Sequence, residues 1–173
     1  MLMVKILLAS ILSASGVLAD GAAIVDAISG IQNATTELTT TVASWDGGIL
    51  GALPIVSEST SLLTAINDAT DTAKQSANLT DLEAVTVGLS IVSLVTGVNS
   101  SLTTIIDAKP KFDKVLLSGV VLINLALEKS ASADFSNAVL EKLPTSFVSV
   151  GETLSGEITD SFDQAIDVYN GPF

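Results

Sequence analysis

The 173-residue chain contains no cysteine, no histidine and no arginine. Without cysteine it forms no disulfide and presents no thiolate to a metal or a substrate. Without histidine, a serine nucleophile lacks its commonest general base, and no motif supports a serine–lysine pair in its place. Without arginine, no guanidinium can bind a carboxylate through bidentate hydrogen bonds. We therefore expect no enzyme, no catalytic residues, no metal and no cofactor.

Aromatic side chains and positive charges are also scarce. The chain has one Trp, one Tyr and five Phe, and its 7 lysines face 19 acidic residues for a formal net charge of −12. A dispersed negative charge repels nucleic acid and anionic membrane surfaces, so we expect neither as a partner. Because 48% of the residues are hydrophobic and only 15% are charged, much of the chain must face an interior, a ligand or an apolar surface.

Residues 1–19 have the pattern of a secretory signal. Lys5 supplies the positive charge, residues 6–17 are mostly apolar, and Ala19 follows as a small residue at the cleavage position. An amphipathic first helix is the alternative. Cleavage after Ala19 leaves residues 20–173 as a single domain, secreted to the medium or the cell wall. The longest later apolar run, residues 115–127, is shorter than the roughly 20 residues that a bilayer requires, so we expect no transmembrane segment.

The apolar residues of the remaining chain recur at helical spacing. A first helix ends at Asp46-Gly47-Gly48, a second covers about residues 50–75, and a capping box at Thr80–Glu83 begins a third, which Lys109-Pro110 ends. A fourth helix from about Lys111 is apolar almost all round and should therefore be central. A short fifth element and a last helix over about residues 145–168 follow. The prediction is an all-α, antiparallel bundle of five to six helices around a central apolar helix.

Small residues inside these helices leave two interpretations open. Glycines within the third and fourth helices either allow close helix packing or leave room for an apolar ligand such as a lipid. A fatty carboxylate would have to meet hydroxyls or a lysine. The pocket candidates are four hydroxyl residues, a glycine and a leucine of the third and fourth helices: Ser90, Ser93, Thr96, Ser118, Gly119 and Leu122. Each hydroxyl has an alternative role, which is a bond to its own helix one turn earlier.

Three sequons predict N-glycosylation of a secreted chain, at Asn33, Asn78 and Asn99. Asn78 lies in the predicted loop before the third helix and is the best candidate. Asn33 points away from the apolar stripe of the first helix. Asn99 flanks an apolar stripe, so we expect it to be partly buried and rank it last.

At the family level, the chain resembles the fungal hydrophobic surface-binding protein A family, also called cell-wall galactomannoproteins. Three segments carry the resemblance: residues 42–48 with 52–53 and 62–70, residues 137–144, and residues 158–166. The resemblance implies a secreted helical bundle that adsorbs to apolar surfaces and, in some members, holds a fatty acid between its helices. It implies no catalytic motif. The expected partners are thus a fatty acid or another apolar ligand or surface, with cell-wall polysaccharide as a further candidate. The alternative is a structural cell-wall mannoprotein with no internal lipid pocket.

Overall fold

The computed structural model describes residues 19–171, and all regular structure in this range is α-helical. The expected signal segment lies outside the described residues except for Ala19, the first residue of α1. The all-α class is confirmed, with five helices in the described range. They are α1 (Ala19–Ser44), α2 (Ala52–Gln75), α3 (Asp81–Lys114), α4 (Ser118–Leu140) and α5 (Thr145–Asn170).

The five helices form a closed ring in the order α1, α2, α4, α5, α3. Residue pairs near both ends of neighbouring helices show that α1, α3 and α5 run in one direction and that α2 and α4 run in the other. Successive helices thus run in opposite directions, as predicted for an antiparallel bundle, whereas the neighbouring pairs α1 and α3, α3 and α5, and α2 and α4 are parallel. The pairs are Gly21–Glu83 and Trp45–Phe112 for α1 and α3, Asn99–Ser161 and Ile105–Tyr169 for α3 and α5, Lys129–Asp163 and Leu140–Gly151 for α4 and α5, and Ser59–Glu128 and Lys74–Lys142 for α2 and α4.

The fourth helix is not central. It forms one wall of the ring between α2 and α5, and its outer face exposes Val120, Ile123 and Leu127 at 39%, 62% and 49%. The composition of a helix that is apolar all round indicates that the helix is buried. It does not indicate which face packs against neighbouring helices. All five described helices line the axis of the bundle, and none of them occupies it.

Two predicted helix boundaries were also wrong. Pro110 lies inside α3, which continues to Lys114, so α4 begins at Ser118 and not near Lys111. A proline removes one helical hydrogen bond but does not always end a helix. The small residues 130–133 lie inside α4, which continues to Leu140. The predicted short fifth element is thus the second half of α4.

The predicted capping box at the start of α3 is confirmed. The Thr80 hydroxyl accepts a bond from the Glu83 N–H, and the Glu83 carboxylate accepts one from the Thr80 N–H at 2.9 Å. The second oxygen of Glu83 accepts a bond from the Gly21 N–H at 3.3 Å, so one carboxylate serves the N-termini of both α3 and α1. The hydrogen bonds from Thr80 hold the pKa of Glu83 below its usual value.

Of the described helices, only α3 has the length and the apolar composition that crossing a membrane would require. Within its most apolar stretch, 33% of the residues are buried inside the bundle. Its buried side chains pack in the ring against α1 and α5.

Candidate functional site

A narrow apolar cavity runs along the axis of the ring and is lined by side chains from all five helices. The empty space is about 810 Å³, including its opening to solvent. On α4 the lining extends from Glu128 to Leu140, which corresponds to about 18 Å at the rise of an α-helix. Aliphatic and phenylalanine side chains dominate the wall, among them Ile31, Leu62, Leu94, Phe135, Ile158 and Phe162.

One end of the cavity is formed where α5 approaches the end of α4 at Gly151. A Cβ atom added there would lie 2.6 Å from Leu140 Cδ2 and 2.9 Å from Leu143 Cδ1. Glycine therefore permits a close approach that any other residue would obstruct. Leu140, Leu143 and Gly151 all line the cavity at this end.

Four serines that line the cavity have hydroxyls without a hydrogen bond to any described residue: Ser101, Ser132, Ser136 and Ser155. They differ from most helical hydroxyls of this chain, which bond to a carbonyl one turn earlier. Thr35, in the same cavity wall, donates such a bond to the Ile31 carbonyl at 2.8 Å. Donors left free in an apolar cavity are available to a polar group of a ligand.

Glu128 is the only titratable side chain among the described residues that line this cavity. It is 3% exposed, and its Oε1 accepts a 2.6 Å hydrogen bond from the Ser59 hydroxyl on α2. Burial raises the pKa of Glu128 to about 7, against the opposing effect of the bond from Ser59. Glu128 also borders a smaller cavity, whose empty space is about 310 Å³ including its opening to solvent and which shares Leu38 and Ile105 with the larger one.

The six pocket candidates from the sequence do not line the central cavity. Ser90 and Thr96 donate to the carbonyls of Thr86 and Val92 on their own helix. Ser93 is exposed and lies in a polar surface cleft. On α4, Ser118 is buried and donates to Asp113, Gly119 is exposed, and Leu122 is half-buried against the core.

One of the hydroxyls that do line the cavity carries a sequence signal that the prediction did not use. Ser101 follows the buried residues Val87 and Leu94 at seven-residue steps, so it lies on the buried stripe of α3. Ser132 and Ser136 follow Glu128 at four-residue steps on α4. For Ser101, a polar residue in the place of an apolar one on a buried stripe is the signal that would have identified the position.

The three predicted glycosylation sites are all exposed. Asn78 lies in the segment between α2 and α3, as expected. Asn99 is exposed and not partly buried, and its Oδ1 accepts a 2.6 Å bond from the Ser161 hydroxyl. Within residues 19–171, no three acidic side chains cluster closely enough to hold a metal ion.

Solved structures with the same fold cover most of this chain. Ligand binding domain 2 of the Penicillium marneffei MP1 protein, complexed with multiple arachidonic acids, has a TM-score of 0.83 at 21% identity and covers 87% of this chain and 96% of its own. The structure of AFMP4P in complex with palmitic acid has a TM-score of 0.85 at 24% identity and covers 87% of this chain and 99% of its own.

Two curated relatives are cell wall mannoproteins 1 of Aspergillus species. The Aspergillus flavus protein is 27% identical over 149 residues, which is 86% of this chain and 54% of the relative. The Aspergillus fumigatus protein is 29% identical over 145 residues, which is 84% of this chain and 50% of the relative. The chain thus spans about half the length of the curated relatives it matches.

The family model for hydrophobic surface binding protein A matches residues 21–141. The match covers α1 to α4 and therefore most of the ring that encloses the cavity. The chain belongs to the hydrophobic surface binding protein A family.

Proposed function

We propose that the chain binds a long-chain fatty acid, or a similar single-chain amphiphile, in the central cavity. The observation that carries the proposal is the combination of an elongated apolar wall with four free serine hydroxyls and one buried carboxyl. An apolar pocket with a few convergent polar groups is the usual form of a small-molecule site. The similar solved structures, which hold arachidonic and palmitic acids, support the same ligand class.

The acyl chain should supply most of the binding free energy. Burying about 14 methylenes gains on the order of 11 kcal/mol at about 0.8 kcal/mol per CH₂, from which the entropy cost of association is subtracted. The head can gain hydrogen bonds but no ion pair with a cation, because no lysine among the described residues lines the cavity. Affinity should therefore rise steeply with chain length and respond weakly to salt.

Isothermal titration with a length series of fatty acids tests the proposal. The variant Ser136→Leu fills the cavity from α4 and should weaken the binding of long chains at least about tenfold through steric exclusion. Ser130→Leu, an exposed position on the same helix, is the matched control and should bind like the wild type. Absence of heat, and of displacement of a fluorescent fatty acid, at every chain length would defeat the proposal.

Adsorption to apolar surfaces is the second candidate function, and two exposed stripes favour it. On and before α4, Leu116, Val120, Ile123 and Leu127 are exposed at helical spacing. On α3, Leu82, Val85, Leu89 and Val92 are exposed at spacings of three and four residues. Aligned exposed apolar side chains are a usual mark of an interaction surface. This function does not require the internal cavity.

Depletion of the protein by hydrophobic beads tests this second function. The double variant Ile123→Ser/Leu127→Ser should adsorb less, and Leu89→Ser/Val92→Ser tests the other stripe in the same way. Ala126→Ser, at an exposed position of α4, is the control. Adsorption that none of the stripe variants reduces would argue against both faces.

We also propose that the chain is secreted and acts outside the cell or in the cell wall, as a binding protein and not a catalyst. The signal pattern of residues 1–19 and the cell wall relatives support this location. N-terminal sequencing of protein from the culture medium should find Asp20 as the first residue. Recovery of intact Met1 in the medium would contradict the cleavage.

A further inference from the structure

One carboxylate oxygen of Glu128 has no hydrogen-bond partner, and it gives one part of the central cavity a polar character. Oε1 accepts the bond from Ser59, whereas Oε2 accepts no hydrogen bond from any described residue. Every side-chain oxygen or nitrogen that is fully enclosed in the described structure has a partner, so the unpartnered Oε2 is not fully enclosed, and the spaces beside it are the two adjoining cavities that Glu128 lines. Leaving such an oxygen without a partner when a ligand expels water would cost free energy. A lipid that fills the cavity must therefore satisfy this oxygen or bind less well.

Besides Ser59, a second hydroxyl lies at the height of Glu128 along the bundle axis. It belongs to Ser101 on α3. Asp163 on α5 contacts Lys129, and it lies two residues beyond Ser161, whose hydroxyl bonds Asn99 on the parallel helix α3. The level of Lys129 is thus about two residues beyond Asn99, which is the position of Ser101. Ser101 and Glu128 both line the cavity, so the carboxyl and a free hydroxyl occupy the same end.

No charged group faces Glu128 from the helices around it. In the walls of both cavities that it borders, α1, α2, α3 and α5 contribute no titratable side chain among the described residues. Lys129, its neighbour on α4, turns to the α5 side and pairs with Asp163. With no positive partner, burial raises the pKa of Glu128 to about 7, and the Ser59 bond opposes that rise.

We propose that Glu128 recognises the head of the bound lipid and selects an uncharged, hydroxyl-bearing head over an ionised carboxylate. This inference rests on the proposed lipid-binding function of the cavity. An undissociated fatty acid or a long-chain alcohol donates its O–H to Oε2 and satisfies it. An ionised carboxylate has no proton to donate, and it repels an ionised Glu128 in a largely apolar site. Two carboxyl groups can share this site only when at least one of them carries a proton.

Titrations of two ligands of equal chain length, palmitic acid and hexadecan-1-ol, test the inference. They are measured at about pH 5.5 and about pH 8.5, on either side of the Glu128 titration. Glu128→Gln keeps the shape of the side chain but is neutral at both pH values. Glu141→Gln is the matched control, because Glu141 is exposed just after α4.

We expect the wild type to bind palmitic acid at least about tenfold more weakly at the higher pH, as for carboxyl groups that share a site. Hexadecan-1-ol should change by less than about threefold, since the alcohol carries no charge to repel. E128Q should regain about tenfold in palmitate affinity at the higher pH, and E141Q should behave like the wild type. Ser59→Ala removes a bond that favours the ionised form and should move the midpoint of the palmitate pH profile to higher pH.

The outcomes separate this inference from the proposed function. Binding of neither ligand to the wild type at either pH defeats the function itself. Binding of hexadecan-1-ol, with E128Q no better than the wild type for palmitate at the higher pH, overturns the role of Glu128 alone. Circular dichroism checks that E128Q folds. If it does not fold, the S59A profile decides, and an unmoved midpoint overturns the inference.

Discussion

The Tyr169 hydroxyl on α5 donates a 2.7 Å hydrogen bond to the Ile105 carbonyl on α3. Ile105 precedes Ile106, whose carbonyl loses its usual helical partner because the residue four positions later is Pro110. The Tyr169 ring packs 6.4 Å from that of Phe112, which in turn packs 4.5 Å from Trp45. The tyrosine thus connects the last helix to the proline-containing turn of α3.

Removing this hydroxyl should destabilise the bundle without changing its fold. Tyr169→Phe keeps the ring but deletes a buried hydrogen bond, which should lower the free energy of unfolding by about 1–2 kcal/mol. Thr86→Val removes an exposed hydroxyl that bonds only to its own helix, and this control should stay within about 0.5 kcal/mol of the wild type. Urea unfolding measures both. Equal midpoints for Y169F and the wild type would show that the bond adds no net stability.

The stability of the ligand-free protein should fall as the pH rises towards neutrality because of Glu128. Burial raises its pKa from the usual 4.5 to about 7, so the folded state keeps a proton that the unfolded chain releases. The resulting stabilisation is complete below about pH 4.5 and is lost as the pH rises through about 7. It amounts to on the order of 3 kcal/mol at 1.36 kcal/mol per pKa unit.

The comparison with E128Q isolates this effect. Glu83 and Asp113, whose hydrogen bonds lower their pKa values, contribute in the opposite direction at acid pH, but they are common to both proteins. The stability difference between E128Q and the wild type should therefore grow in favour of E128Q between about pH 5 and about pH 8. A difference that does not change with pH would contradict the raised pKa.

Glycine 151 should limit the length of the acyl chain that the cavity accepts. Gly151→Leu places a side chain against Leu140 and Leu143 at the cavity end and should weaken long-chain ligands more than short ones. Gly119→Leu is the matched control, since a Cβ atom there meets nothing within 4 Å. The sequence alone suggested Gly119 as a pocket residue. Titration of the same fatty-acid series against both variants checks the difference, and an equal loss in both would refute it.

All three sequons should accept glycans if the chain passes through a secretory pathway, because each asparagine is exposed. Asn33→Gln, Asn78→Gln and Asn99→Gln should each remove one N-glycan from the intact mass. Asn67→Gln, an exposed asparagine of α2 outside any sequon, should leave the mass of the glycans unchanged. Asn99 is the least favourable of the three glycosylation sites, since its side chain accepts a hydrogen bond from Ser161. A mass that no variant shifts would show that these sites are not used.

The sequence by itself determined the helical class and several helix ends. The 3.6-residue spacing of Ile24, Ile28 and Ile31 indicates an amphipathic helix wherever the partners lie, and all three are buried. The capping box of Thr80 and Glu83 is a local interaction over four residues, so the sequence contains all of it. Pro144 likewise lies directly before α5. Local hydrogen bonding and periodicity require no knowledge of the neighbouring helices.

Only the tertiary structure decided which helices meet and which polar groups face the cavity. α4 carries apolar residues on every side, so composition could not tell its buried face from the exposed face of Ile123 and Leu127. Ser118 and Ser136 are both serines within the same apolar helix, yet one bonds Asp113 and the other lines the cavity. Their roles depend on the rotation of α4 about its axis in the ring. That rotation follows from packing against α2 and α5, which lie outside the segment itself, and no local pattern within α4 encodes it.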